Sequence, residues 1–216
     1  MASDLESRRI LITSGPTRAN LDAVRFLSNR STGRLGCAIA EQALDRSAEV
    51  TFVAGPESRV PQDRDGLHVV HIETVEDLLE ALQTQLTATP HHAVIHAMAV
   101  LDYVPAETEH GKVRSGRDEW TLRLVRTPKV IGKLKEWAPN ALLTGFKLEV
   151  DVDEDELIAA GAKLATSNGA EMVVANDLGR IRDEVHPALV VNPEGNILAR
   201  PETKPEIARM LCYLLA

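Results

Sequence analysis

Three stretches of the sequence carry residue types suited to chemistry on an anionic substrate. The first is Ser28-Asn29-Arg30-Ser31-Thr32-Gly33-Arg34-Leu35-Gly36, which runs into a helical pattern. Exposed backbone N–H groups at a helix start, with hydroxyls and small residues beside them, make a cradle for an anion. The same residues allow a plainer use, in which Ser31 or Thr32 caps the helix and Gly36 lets it pack on a sheet. The second stretch spans about thirty residues, 97–127, and contains Lys112-Val113-Arg114. Excursions of that length in compact domains are usually functional. The third, Ala175-Asn176-Asp177-Leu178-Gly179, closes an apolar run.

The elements must bring these stretches to one edge. Arg9-Ile10-Leu11-Ile12-Thr13-Ser14, stopped by Gly15-Pro16, has the form of a buried parallel strand. Leu35, Ile39 and Ala43 recur four apart and predict a helix from Gly33 to about Arg46. Strands are expected at 49–54, 68–72 and 93–97. A helix capped by Thr74 lies before the last of them, with Leu78, Leu79, Leu82 and Leu86 on its apolar face. Further on come a helix over 128–137 with Pro128 in its first turn, a strand at 142–146, a helix over 153–167 with acids at its start, and a strand at 172–175. Residues 188–191 and 196–198 flank the hairpin signal Asn192-Pro193-Glu194-Gly195, and 204–215 closes as a helix. Within the second stretch, 112–114 and the alternating Trp120-Thr121-Leu122-Arg123-Leu124 predict the arms of a hairpin turning at 115–119. The expected class is α/β: a Rossmann-like, mostly parallel sheet with helices on both faces and a projecting β-hairpin near the ligand edge. One domain covers 1–216, with the hairpin excursion at about 103–127.

Composition narrows the function. The 216 residues are 44% apolar and 26% charged, a globular balance. No apolar run approaches the roughly 18 to 20 residues of a membrane helix, and the first residues lack the apolar stretch of a signal peptide. Cys37 and Cys212 form neither a disulfide framework nor a zinc pattern, and no protein metal site is expected. The cytoplasm is the expected location. A net charge of −8 argues against nucleic acid as a partner. Its distribution is uneven. Six arginines (8, 9, 18, 25, 30, 34) stand against one acid, Asp22, and eight Lys or Arg fall between Lys112 and Lys135 against Asp118 and Glu119. An acidic chain with two basic segments suits a small anionic ligand, and equally ordinary solvated faces.

A dinucleotide site would need G-x-G-x-x-G directly after the first strand and an acid ending the second. The chain has Gly15-Pro16-Thr17-Arg18 and Val53-Ala54-Gly55 at those places, so a nicotinamide-dependent oxidoreductase is the weaker alternative.

The string from Ile10 through Thr13-Ser14-Gly15-Pro16-Thr17-Arg18 and Leu21-Asp22 to Phe26-Leu27-Ser28-Asn29-Arg30-Ser31-Thr32-Gly33-Arg34-Leu35-Gly36 resembles the opening of phosphopantothenoylcysteine synthetases. Collinear matches follow at Ala97-Met98-Ala99-Val100-Leu101-Asp102-Tyr103, Gly111-Lys112-Val113-Arg114, Thr127-Pro128-Lys129-Val130, Thr144-Gly145-Phe146 and Ala175-Asn176-Asp177. The resemblance implies a ligase of coenzyme A biosynthesis. Such enzymes activate the carboxylate of 4′-phosphopantothenate with a nucleoside triphosphate, release pyrophosphate, and pass the acyl group to the amine of cysteine. Bacterial members generally use CTP and eukaryotic ones ATP; magnesium arrives with the triphosphate.

The resemblance also assigns residues. Asn29 falls on a loop asparagine that turns over the acyl-nucleotide, and Lys112 on a cation for the triphosphate or departing pyrophosphate. Gly15, Ser31 and Gly33 line the first loop of the nucleotide site. His96, Ala97 and Met98 form the strand end lining that site, with His96 as a wall rather than a base. Asp102 matches an acid that binds the nucleotide through ribose or base. Pro128, Lys129, Val130 and Ile131 match a helix start against the nucleotide, and Phe146 an aromatic packing on the base. Lys163 matches one of two helix lysines; the second falls near Ser167, where this chain has no cation. Asn176 and Asp177 match a structural loop. Many bacterial members are fused behind a flavin-dependent decarboxylase. This chain starts at the ligase's first strand, so no flavin is expected, and a separate decarboxylase subunit is a candidate partner. A homodimer is expected, steadied through the projecting hairpin. A non-catalytic subunit of the same pathway is the remaining alternative.

Overall fold

The computed structural model describes residues 4–116, 118–182 and 184–216. The strands and helices follow in chain order as β1 (Arg9–Ser14), β2 (Arg18–Asn20), β3 (Phe26–Ser28), α1 (Arg34–Asp45), β4 (Glu49–Ala54), β5 (Leu67–His71), α2 (Val75–Ala88), β6 (Ala93–His96), β7 (Tyr103–Pro105), β8 (Leu124–Arg126), α3 (Ile131–Trp137), β9 (Leu142–Glu149), α4 (Glu154–Asn168), β10 (Met172–Asp177), β11 (Leu189–Val191), β12 (Ile197–Ala199) and α5 (Lys204–Leu214). The main sheet runs β12-β11-β10-β9-β6-β1-β4-β5. Six strands, from β5 to β10, are parallel, and β11 and β12 are antiparallel. From β1 the chain goes outward to β4 and β5, then crosses back to β6 on the other side. The carboxyl ends of β1 and β6 therefore flank the topological switch point, where open α/β sheets bind ligands.

Alternation along the buried strands feeds two cores. Leu11, Val94, Leu143 and Val173 pack under α2, α3 and α4. Ile10, Ile12, Phe52, Ile95 and Val174 pack under α1 and α5. The helix starts are set locally. Asp77 N–H donates to Thr74 Oγ1 at 3.1 Å, and Thr74 N–H donates to Asp77 Oδ2 at 2.9 Å. The same reciprocal arrangement joins Asp153 and Glu156 ahead of α4. Caps of this kind contribute about 1 kcal/mol each.

Three expectations need correction. Neither Ser31 nor Thr32 caps α1: its N-cap is Gly33, at φ +70°, with no side-chain cap. Pro128 lies outside α3, which begins at Ile131 after Val130. The projecting hairpin exists, but its paired arms are β7 and β8, with Tyr103 opposite Arg126. Residues 112–114 and 120–123 form no strand, although alternation suggested one. The expected turn at 115–119 includes Arg117, which lies outside the described residues.

A further two-stranded ribbon, β2 with β3, fills the polar stretch after β1 and packs against β7.

Candidate functional site

The end of β1 is a place of close backbone approach. A Cβ on Gly15, at φ +83°, would fall 1.6 Å from Ser58 Oγ, and one on Gly36 would fall 2.6 Å from Ser14 Cβ. Glycine at these two positions lets the turn after β4 and the start of α1 close over Ser14. Ser14 Oγ donates to Gly33 O at 3.0 Å, Gly55 N–H donates to Ser14 O at 2.9 Å, and Arg59 N–H donates to Thr32 O at 3.1 Å.

From there the backbone continues as a zipper. Ala99 N–H donates to Gly15 O at 2.8 Å, Thr17 N–H to Ala99 O at 3.2 Å, and Leu101 N–H to Thr17 Oγ1 at 2.9 Å. Ser28 Oγ donates to Thr17 O at 2.9 Å. Asn29 then crosses to the loop after β6, its amide nitrogen 3.1 Å from Ala99 O and 3.2 Å from Val100 O. Two carbonyl acceptors fix the amide orientation, because the amide oxygen would repel both. The first loop, Asn29 and the end of β6 thus meet at the switch point, the place of the ligand crevice in open α/β sheets.

His96 is the buried last residue of β6. Its Nδ1 lies 2.8 Å from Thr13 Oγ1, which also accepts Met98 N–H at 3.3 Å. Burial pushes the imidazole pKa down to about 4, and the charge of Lys129 acts in the same direction. A ring held neutral in this way does not act as a proton carrier at neutral pH. Asp102 and Lys129 face each other across the mouth, Nζ to Oδ1 at 3.1 Å, both exposed. Thr127 N–H donates to Asp102 O at 3.0 Å and Thr127 Oγ1 to Leu101 O at 2.7 Å, which ties residues 127–129 to the β6 loop.

The remaining expected residues divide by face. Ala97 and the half-buried Phe146 pack on the α1 side of the sheet, the side of Gly33 and half-buried Ser31. Met98, Val130 and Ile131 are buried in the opposite core and can offer only backbone to a ligand. Pro128 sits between the Asp102 loop and α3. Lys163 is exposed on α4, nine residues along from the helix start. The face of the sheet that α4 covers is the one under which Met98, Val130 and Ile131 are buried. Asn176 and Asp177 tie loops: Asn176 Nδ2 donates to Pro187 O at 2.7 Å, and Asp177 Oδ1 accepts N–H bonds from Asp151 and Gly179, both at 2.9 Å.

The two basic segments disperse. Arg9 Nε donates to Pro90 O at 2.7 Å, at the amino-terminal end of β1. Arg18 pairs with Glu57 at 2.8 Å and stacks over Phe26. Lys133 and Lys135 pair with Glu136 and Glu171. Arg30 and Arg34 are exposed beside the crevice, and Lys112 and Arg114 are exposed on the excursion.

The feature that sequence reasoning missed is Asp22. Its side chain is fully buried, and Oδ1 accepts N–H bonds from Val24 at 2.9 Å and Arg25 at 2.8 Å. Oδ2 accepts the Arg25 guanidinium and Val113 N–H, the latter at 3.0 Å. Burial alone would raise its pKa, but Arg25 and the three backbone donors outweigh that and hold the carboxyl far below the usual range. The available signal was its standing as the one acid among six arginines. Among the described residues no group of three His, Cys, Asp or Glu side chains could hold a metal ion.

The sequence profile of the family described as DNA/pantothenate metabolism flavoprotein C-terminal domain matches residues 5–216. The chain is 37% identical over 207 residues to the coenzyme A biosynthesis bifunctional protein CoaBC of Thermococcus kodakarensis, covering 96% of this chain and 50% of that protein. It resembles the crystal structure of the DNA/pantothenate metabolism flavoprotein from Streptococcus pneumoniae with a TM-score of 0.89 and 32% identity, covering 97% of this chain and 98% of that one. It also resembles the C-terminal domain of a coenzyme A biosynthesis bifunctional protein CoaBC, with a TM-score of 0.79 and 30% identity over 99% of this chain and 96% of that one. The chain spans about half the length of the curated relatives it matches.

Burial of neutral His96 sets a pH dependence. In the unfolded chain the imidazole takes up a proton near 6.5, but in the folded chain only near 4. Stability is therefore unaffected above 6.5 and falls as the pH drops from 6.5 towards 4, by up to about 3 kcal/mol for this group. His186, also lowered to about 4 by burial, adds in the same window. Urea unfolding of His96→Gln at pH 7.5 and 4.5 should show a smaller loss than the parent. Parallel losses in the two proteins would contradict this assignment.

Proposed function

The chain belongs to the DNA/pantothenate metabolism flavoprotein C-terminal domain family, and from that premise we propose that it is a ligase joining 4′-phosphopantothenate to cysteine. The observation that carries the reading is the crevice at the β1/β6 switch point. There the α1 start, which has no side-chain cap, the Asn29 bridge and the Asp102 loop converge. The coenzyme A biosynthesis named for the bifunctional relatives supports the pathway. The presence of Asn29, Asp102 and Lys112 together favours a working enzyme over a binding subunit.

In this reading a carboxylate oxygen of phosphopantothenate attacks the α-phosphorus of CTP or ATP and pyrophosphate leaves. The nucleotide enters with magnesium as substrate. The amine of cysteine then attacks the acyl carbon, and the nucleoside monophosphate leaves with the bridging oxygen. The protein's contribution is to hold two anions together and to oppose charge as it develops. Backbone N–H groups of Gly33 to Gly36, with Ser31 and the Gly15 turn, receive phosphate. Ala97, Phe146 and Asp102 hold the nucleoside, with backbone groups of Met98 and Pro128 to Ile131 beside it, and Lys129 balances Asp102. Lys112 serves the triphosphate and the departing pyrophosphate. Asn29 serves the second step by exchanging one of its two carbonyl partners for the acyl oxygen. Neither step uses a flavin. A decarboxylase, elsewhere in a longer chain or as a separate subunit, consumes the product. The free, buried thiols of Cys37 and Cys212 suit the reducing cytoplasm.

A homodimer completes the proposal. Val24 and Phe26 on the β2–β3 ribbon and Tyr103, Leu124 and Val125 on the β7–β8 hairpin are all exposed. The two ribbons adjoin, and every residue of β8 is exposed. Two-stranded ribbons are marginal alone in water, and packing against a second copy would cover this apolar face. Light scattering should give twice the chain mass, and Val125→Glu should reduce it. A parent that is monomeric and fully active would remove this part of the proposal.

Pyrophosphate release should require phosphopantothenate and CTP or ATP, and the final amide should also require cysteine. Asn29→Asp should slow turnover about a hundred- to a thousand-fold, the usual loss of one oxyanion donor. Given nucleotide, magnesium and phosphopantothenate, the variant should accumulate an acyl-nucleotide visible by mass spectrometry. Loss of nucleotide binding with no intermediate would leave Asn29 only its observed loop-tying role.

A further inference from the structure

The turn between β2 and β3 grips the excursion on either side of Lys112. Ala23 N–H donates to Gly111 O at 3.1 Å, so the peptide entering Lys112 is held. Val113 N–H donates to Asp22 Oδ2 at 3.0 Å, so the peptide leaving it is held as well. With both flanking peptide planes fixed, the Lys112 backbone dihedrals have little freedom. Arg25 locks the arrangement. Its guanidinium pairs with Asp22 Oδ2, donates to Val113 O at 2.8 Å and stacks over Trp120 at 4.6 Å from the ring centroid. Two more bonds align the strands of chain behind it: Glu109 N–H to Leu21 O at 3.0 Å and Thr108 Oγ1 to Asn20 O at 3.1 Å.

A buried carboxylate serving only its own turn would need one oxygen. Oδ1 does that work by accepting Val24 and Arg25 N–H. Oδ2 accepts the Arg25 guanidinium and also reaches Val113 N–H on the excursion, across ninety-one positions of sequence. The Lys112 side chain itself is exposed, and among the described residues no ion pair fixes its ammonium.

We propose that Asp22 is a positioning residue that, with Arg25, holds Lys112 in place for the activation step. This rests on the ligase reading, in which Lys112 meets the phosphates. The arrangement spares Lys112 a structural partner of its own, leaving the ammonium free to meet a ligand while its backbone stays fixed.

Asp22→Asn separates the two oxygens. The remaining amide oxygen keeps the turn bonds to Val24 and Arg25, but the new NH₂ faces Val113 N–H and the Arg25 guanidinium, donor against donors. The Val113 amide should therefore exchange with deuterium at least tenfold faster than in the parent, with the protection of β1 and β6 amides unchanged. Pyrophosphate release should fall tenfold or more. Lys112→Ala should cost the parent at least as much and cost the Asp22→Asn protein no more than about twofold further, because the lysine has already lost its place. Arg25→Lys, which keeps a cation by Asp22 but cannot span it and Val113 O together, should show the same pattern more weakly; it carries the test if Asp22→Asn does not fold. Parent-like Val113 exchange in the folded variant overturns the inference whatever the activity, and so do fully additive losses with Lys112→Ala. A parent that releases no pyrophosphate fails the ligase reading instead, and the exchange measurement does not depend on it.

Discussion

The backbone of Gly15 passes so close to Ser58 that no side chain fits between them, and the rest of the site follows from that contact. It brings the turn after β4 over the end of β1, where Ser14 also receives the first turn of α1 through Gly36. A larger residue at either glycine would push α1 or the β4 turn outward, at the cost of about 1–3 kcal/mol typical of overpacking. The α1 start would then no longer sit beside the loop carrying Asn29. Stability and function share a cause here: the tight packing that orders the sheet edge also leaves the first N–H groups of α1 without a side-chain cap.

Hydroxyls and amides extend that order across the crevice. Thr13, Thr17 and Asn29 each satisfy backbone or ring groups of the β6 extension. Residues 97–101 therefore leave β6 paired with the opposite loop. Buried polar groups of this kind specify one arrangement because leaving any of them unpaired is costly. The same principle acts at longer range in Asp22, whose two oxygens join a local turn to a distant excursion.

Much of the fold was legible where burial is strong. The runs 9–14, 49–54 and 93–97 are apolar because both faces of those strands are covered, and the caps at Thr74 and Asp153 set helix starts by local chemistry. What escaped is held by other forces. The β2–β3 ribbon has three-residue strands and is fixed by Asp22, which leaves no hydrophobic period to read. Alternation at 120–124 suggested a strand, but an alternating pattern does not choose a partner, and the pairing falls on 103–105 with 124–126. At the site, the resemblance named Asn29, Asp102 and Lys129; the structure ties Asn29 to Ala99 and Val100 and pairs Asp102 with Lys129. It also named Lys163, which is exposed on α4.

The central claim is that a carboxylate is activated as an acyl-nucleotide at this crevice. Phosphopantothenate labelled with ¹⁸O in its carboxylate tests it most directly, in parallel reactions with CTP and ATP in the presence of cysteine. The account predicts one ¹⁸O atom in the nucleoside monophosphate released with each amide formed, and none in pyrophosphate. Label in inorganic phosphate, or amide formation with no label in the monophosphate, would contradict it.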